Sequence, residues 1–203
     1  MDLSKRGSVT IVALLLAIAL SLSAGIYYVS ENTNLITGLA ISDSTLEAQT
    51  ITTCNISVTS NIINIGHDYE CSNEYGFIIN GNDLTLDCQD HIITCVDGCT
   101  NYAGIYINGF NGTTIQNCDI RNFADGVLLT NNASNNVIQS NSFLNNSDGI
   151  GLNPGLSNNI TLNTFLNSTV CGVNASANFN NAFLTSTWNN IWNNKFLNNS
   201  NGQ

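Results

Sequence analysis

A short apolar alternation returns behind a glycine along this chain, and that recurrence constrains the fold more than any other feature. Gly76-Phe77-Ile78-Ile79-Asn80, Gly104-Ile105-Tyr106-Ile107-Asn108, Gly126-Val127-Leu128-Leu129-Thr130, Gly149-Ile150-Gly151-Leu152-Asn153 and Gly172-Val173-Asn174-Ala175-Ser176 start 28, 22, 23 and 23 residues apart. A second column runs between them: Ile115, Cys118, Ile120; Ile138, Asn141, Phe143; Ile160, Asn163, Phe165; Ile191, Asn194, Phe196. Apolar residues at i and i+2 share one face of a strand. One unit is too small to bury them. Stacked units can, because each strand pairs with its equivalent one turn on, ~4.8 Å away. The pattern predicts an all-β fold, a right-handed single-stranded parallel β-helix over 51–203. At about 23 residues per turn this gives about six turns of short strands, each strand ~4–5 residues long.

Asparagine is the excess residue. It has low helix propensity and tolerates left-handed turn conformations. With 43% hydrophobic and only 9% charged residues, the chain does not have the composition of a disordered one. Asn141, Asn163 and Asn194 occupy equivalent positions, so their side chains are expected to form a hydrogen-bonded ladder along the axis. Buried amides must be paired. The repeat glycines are expected where a turn needs positive φ or a close backbone approach. Asp125, Asp148 and Cys171 each precede such a glycine and read as turn formers, as Asp-Gly often is.

Residues 8–29 are uncharged, mostly apolar and preceded by Lys5 and Arg6. About 20 apolar residues span a bilayer, and basic residues before the span favour an exported remainder. Three readings fit: an uncleaved anchor with Tyr27 and Tyr28 at the interface, a signal peptide cleaved near Ser21-Leu22-Ser23, or a leader in which Lys5-Arg6-Gly7 resembles archaeal prepilin leaders. All three put the bulk of the chain outside the cytoplasm, with 1–30 as membrane anchor or signal and 31–50 as linker or N-terminal cap. The seven cysteines suit an oxidising compartment. Cys88 stands one turn before Cys118 in its column; the two could bridge, or lie as two buried thiols. Cys95 and Cys99 flank the excursion that lengthens the 28-residue turn and could close it locally, leaving Cys54 and Cys71 to staple the first turns. Spacing does not fix the connectivity. Asn55, Asn111, Asn132, Asn145, Asn159, Asn167, Asn174 and Asn198 head glycosylation sequons.

Net charge is -10, and Arg121 and Lys195 are the only cations beyond residue 30. No basic face can form, which excludes a nucleic-acid partner. There is no CxxC or histidine-rich set for zinc. Two histidines and no methionine beyond Met1 are poor equipment for copper, so no metal is expected. Glycosidic hydrolysis needs two carboxyl groups flanking a bond. Asp87, Asp90, His91, Asp119 and Arg121 fall on neighbouring turns, with Asp119 and Arg121 flanking inward Ile120 and so pointing outward. These are the best candidate site; the plainer reading is a solvated surface with one ion pair. A β-elimination lyase would need a base and a carboxylate-bound calcium, for which the Asp87/Asp119 column is a weak candidate. Trp188 and Trp192 could stack on sugar rings or cover the last turn.

DLTLDCQDHIITC (Asp83–Cys95), GIYINGFNGTTIQNCDIRNF (Gly104–Phe123) and NNVIQSNSFLNNSDGIGL (Asn135–Leu152) resemble the parallel β-helix repeat family, with its pectate-lyase-like fold, and especially the Asn-rich β-helix proteins of archaeal and bacterial surfaces. The resemblance covers roughly Ile51 to Asn199. It implies the fold strongly and the activity weakly. Members include polysaccharide lyases and hydrolases, carbohydrate-binding surface proteins, and periplasmic proteins that assist copper-enzyme maturation. The expectation is a membrane-anchored or secreted, non-catalytic protein that binds envelope glycans or surface proteins, or acts as a spacer. One alternative is a polysaccharide-active hydrolase or lyase using Asp87, Asp90, Asp119 and Arg121, with His91, Trp188 and Trp192 against the substrate. Another is a surface subunit that associates end to end.

Overall fold

The apolar columns become the walls of a solenoid in a computed structural model, which describes residues 53–62, 64–175, 186 and 188–200. The expected anchor (1–30) and linker (31–50) lie outside the described residues. Among the described residues no helix is long and apolar enough to cross a membrane. The first turn holds β1 (Ile56–Val58) and β2 (Tyr69–Ser72), with an isolated bridge from Ile62 to Leu86 between them. The second holds β3 (Phe77–Ile79), β4 (Thr85–Asp87) and β5 (Ile92–Asp97); the third β6 (Ala103–Asn108), β7 (Thr114–Gln116) and β8 (Asp119–Arg121). Next come β9 (Asp125–Ser134), β10 (Val137–Gln139) and β11 (Ser142–Leu144), then β12 (Asp148–Leu156), β13 (Asn159–Thr161) and β14 (Thr164–Leu166). The last turn is β15 (Cys171–Asn174), β16 (Asn190–Trp192) and β17 (Lys195–Leu197).

Every third strand stacks in parallel, giving sheet A (β1-β3-β6-β9-β12-β15), sheet B (β4-β7-β10-β13-β16) and sheet C (β2-β5-β8-β11-β14-β17). Five turns therefore carry all three strands, one fewer than the six expected, because the first reaches sheet B through a single bridge. Most strands in sheets B and C have three residues, shorter than expected, because the corners take the rest.

The corners explain the asparagines. Each of the last four turns has three of them, and each begins with a left-handed residue followed by an inward one. Between sheets A and B the left-handed residues are Gly112, Asn135, Ser157 and Trp188; between B and C, Asn117, Ser140, Leu162 and Asn193; between C and A, Asn122, Asn145, Asn167 and Asn198. All have φ between 52° and 72°, where asparagine is tolerated better than most residues. The inward residue is then usually a second asparagine. In the expected ladder, Cys118 N–H donates to Asn141 Oδ1, Asn141 N–H to Asn163 Oδ1, and Asn163 N–H to Asn194 Oδ1, each at 2.9 Å. Each amide nitrogen donates back to the carbonyl of Ile115, Ile138 or Ile160. Two further ladders, unseen in the sequence, do the same. Thr113, Asn136 and Asn158 donate to the side chains of Asn136, Asn158 and Asn189. Phe123 and Ser168 donate to Asn146 and Asn199.

The central ladder begins with a covalent link, since Cys88 and Cys118, which could have lain as two thiols, form a disulfide. Cys54–Cys71 closes the first turn and Cys95–Cys99 the excursion. The repeat glycines serve close approach, not positive φ. A Cβ on Gly126 would strike Phe143 and the Gly149 carbonyl, and one on Gly149 would strike Phe165 and the Gly172 carbonyl. The glycines make room for a stack of Phe143, Phe165 and Phe196, with ring centroids 5.0 and 4.9 Å apart.

Two of the positions that depart from the asparagine pattern yield tests. Ser168 stands where a ladder asparagine would, and its hydroxyl has no partner among the described residues. Leu162 is left-handed and 58% exposed. Ser168→Asn and Leu162→Asn should each stabilise the fold by ~1 kcal/mol, the first by supplying an acceptor for the Asn146 N–H and the second by relieving backbone strain. Asn163→Leu should destabilise by ~3 kcal/mol or more, because it orphans the Asn141 N–H and the Ile138 carbonyl together. Denaturant titration of the three variants checks the opposite signs.

Candidate functional site

Of the five residues singled out in the sequence, Asp90, His91, Asp119 and Arg121 lie on neighbouring turns around β5 and β8, where the Asp119 N–H donates to the His91 carbonyl at 3.2 Å, and Asp87 lies on sheet B. Asp87 ends β4 on sheet B, where its carboxylate accepts from Gln116 Nε2 (2.7 Å), Asn117 Nδ2 (3.0 Å) and the Gln89 N–H (3.0 Å). Burial alone would raise its pKa, but the bonds from Asn117, Gln116 and Gln89 outweigh that and hold it below the ordinary value. Gln139 Nε2 donates to Gln116 Oε1, so Asp87 ends an amide row. Asp119 and Arg121 pair through two hydrogen bonds along β8 on sheet C, Nε to Oδ1 at 2.8 Å and the second through Nη2. Asp90, at the corner before β5, shares a shallow groove with Asp119, Ser142 and Leu162. His91 Nδ1 lies 3.2 Å from Asp68 Oδ1, a residue the sequence did not single out. The Ile92 N–H bonds the same Asp68 oxygen and is the main cause of its lowered pKa; burial opposes this, and His91 and Arg121 add to it.

Trp192 stands in the outward register of sheet B, and its Nε1 donates to Asn159 Oδ1 at 3.1 Å. Trp188 is a left-handed corner residue, 87% exposed. Neither is buried over the last turn. Among the described residues no group of three or more His, Cys, Asp or Glu is placed to hold a metal.

The outer face of sheet A carries a different constellation. Its outward register runs Ser57, Ile78, Tyr106, Leu128, Gly151, Asn174, one residue per turn. Tyr75 stacks on Tyr106 at 4.9 Å, and Tyr102 meets Tyr75 edge-on at 5.1 Å. Thr130 Oγ1 donates to the Tyr106 hydroxyl at 3.2 Å. Asp125 and Asp148 are not turn formers: they open β9 and β12 and are direct register partners on adjacent turns. Asp148 Oδ1 accepts the Cys171 N–H (3.0 Å), and Oδ2 accepts Asn174 Nδ2 (2.9 Å). Gly151 has no side chain to fill the face, and Asp125 leans into the space. The result is a notch of ≈ 200 Å³ lined by Asp125, Leu128, Asp148, Asn153 and Asn174.

Burial, and then the charge of Asp148, push the Asp125 pKa up to about 7. Burial likewise raises Tyr75, with smaller contributions from Tyr106, Tyr102 and Asp125, and raises the Cys171 thiol, aided by Asp148. The face thus offers ring edges, hydroxyls, amides and two neighbouring carboxyl groups, of which Asp125 holds its proton up to about pH 7.

A parallel solenoid with three sheets, locked by inward asparagines and bearing its chemistry on outward positions, defines a β-helix protein. Residues 72–203 match the family described as right-handed beta helix region, and the chain belongs to that family. No curated protein and no solved structure matches it.

Asp125 gives a pH test. Its folded pKa, about 7, lies above the ordinary 3.8, so between those values the folded chain holds a proton that the unfolded chain has lost. That contribution to stability is full below about pH 4 and falls as pH rises towards 7. Asp125→Asn should therefore match the parent at pH 4 and exceed it in melting temperature at pH 8. A gap that does not widen with pH would show that Asp125 titrates normally.

Proposed function

We propose that this chain is a non-catalytic, extracytoplasmic surface protein, anchored by or exported through residues 1–30, that binds envelope glycans along the outer face of sheet A. The observation that carries the reading is one outward row of sheet A that holds Tyr106 and, two strands on, the notch at Gly151, with Tyr75 stacked on Tyr106 and Tyr102 edge-on to Tyr75. Tyrosine offers an apolar ring and a polar tip, which suits a sugar ring rimmed with hydroxyls. Asn108, Thr130, Asn153 and Asn174 add donors and acceptors on the same face. The membrane association rests on the apolar run at 8–29 and the basic residues before it.

The test uses the full chain and a panel of immobilised and soluble polysaccharides, following both retention and chain length. Retention without shortening is expected, and Tyr106→Ala should weaken it about tenfold, or ~1.4 kcal/mol. Loss of retention across the panel would sink the reading. Shortening abolished by Asp119→Asn would replace it with a hydrolase or lyase.

A second reading is favoured by the last turn. Ile191 and Trp192 are 43% and 48% exposed, both on β16, the end strand of sheet B. Open strand edges template further pairing. Concentration-dependent association abolished by Ile191→Lys would support a self-associating surface subunit.

A further inference from the structure

Resting on the glycan reading, we infer that the ligand is an uncharged glycan whose chain runs along the solenoid axis, crossing the strands from Tyr106 over Leu128 into the notch at Gly151. The direction follows from the register. Tyr106, Leu128, Gly151 and Asn174 are consecutive outward partners on four neighbouring strands. Adjacent strands are ~4.8 Å apart, so the row extends ~14 Å, the length of roughly three linked hexoses. Along β9, by contrast, left-handed residues at Asn131 and Asn132 interrupt the extended backbone before the corner at Asn135. The notch is the one point in the row where the side chain is missing. Leu128 is its apolar wall, and Asn174 and Asn153 offer amides beside it.

Charge selects the class. The described cations are Arg121 and Lys195, on β8 and β17 in sheet C. Arg121 is already bonded to Asp119. Sheet A sets no cation against a ligand, and it presents Asp125 and Asp148 at the notch, on a chain of net charge -10. A uronate polymer would bring carboxylates to a face whose only charged groups, among the described residues of its strands, are carboxylates. An uncharged sugar can use the same oxygens as hydrogen-bond acceptors without repulsion.

Filling the notch displaces side chains and no backbone. A Cβ at Gly151 would meet first the Asp125 carboxyl, the far end of a side chain, and then a Leu128 methyl. Gly151→Val should therefore leave the fold intact by circular dichroism while excluding the sugar. The experiment compares the full chain and Gly151→Val on neutral glucan, mannan and xylan, on polygalacturonate and alginate, and on chitosan, at low and high salt. Retention on a neutral polymer, little changed by salt and weakened at least tenfold in Gly151→Val, is expected. Preference for a uronate or for chitosan, or salt-sensitive retention, would overturn the uncharged ligand while leaving glycan binding in place. Neutral binding unchanged in Gly151→Val would overturn the path through the notch. Retention of nothing would remove the glycan reading itself.

Discussion

A buried backbone N–H at each corner is the constraint from which the rest of this solenoid follows. Where the chain leaves one sheet for the next, the strand ladder stops. The residue after the left-handed one turns inward, and its N–H would be left without a partner. An orphaned buried donor costs ~1–3 kcal/mol, and three such corners occur per turn. The inward asparagine of the following turn answers this with its Oδ1, while its nitrogen bonds a carbonyl of the preceding turn. Apolar columns alone would specify the interior only as greasy. The amide ladders fix which residue sits above which. A slip of one residue would both turn the Phe143/Phe165/Phe196 column outward and break all three ladders.

The fold was legible because its signal is periodic. Five glycines at nearly constant spacing mark sheet A, and the Ile-x-x-Asn-x-Phe column marks sheet B with its Ile and sheet C with its Phe. One ladder was visible because Asn141, Asn163 and Asn194 lie inside that column. The others were hidden in doublets such as Asn135-Asn136 and Asn145-Asn146, where the first residue adopts the left-handed turn and the second faces inward. Ser157, Leu162 and Trp188 take the first role without resembling asparagine, so no residue-type rule finds them. The site was harder to read. Asp125 and Asp148 stand one turn apart, but Asp-Gly looks like a turn when strand and corner cannot be told apart. Tyr75 and Tyr102 meet across the long second turn, closed by Cys95–Cys99, where the repeat spacing is interrupted. Asp87 and Asp119 seemed to share a column, yet they lie on β4 and β8, on different faces.

The inside of the molecule is uniform and the outside is not. Sheet B shows a row of amides, Gln139 to Gln116 to Asp87. Sheet C holds the described cations, with Arg121 bonded to Asp119 and within reach of the Asp68 carboxylate that pairs with His91. Sheet A concentrates tyrosines and the carboxyl pair. Because outward residues alternate with inward ones, each face can acquire its own chemistry without disturbing a core contact. That separation lets one scaffold host unrelated binding surfaces, and it makes the outward rows, not the repeat itself, the place where function resides.

The ladders have a direction: the donor N–H always belongs to the earlier turn and the accepting side chain to the later one. A turn that carries all three ladder asparagines, such as the one with Asn136, Asn141 and Asn146, therefore presents side-chain acceptors below and backbone donors above. A tandem duplication of one repeat in the gene would drop a coil into the stack without changing any neighbour's partners. Length is thus a trait that heredity can alter in steps of one coil, whereas the chemistry of a face can change only residue by residue.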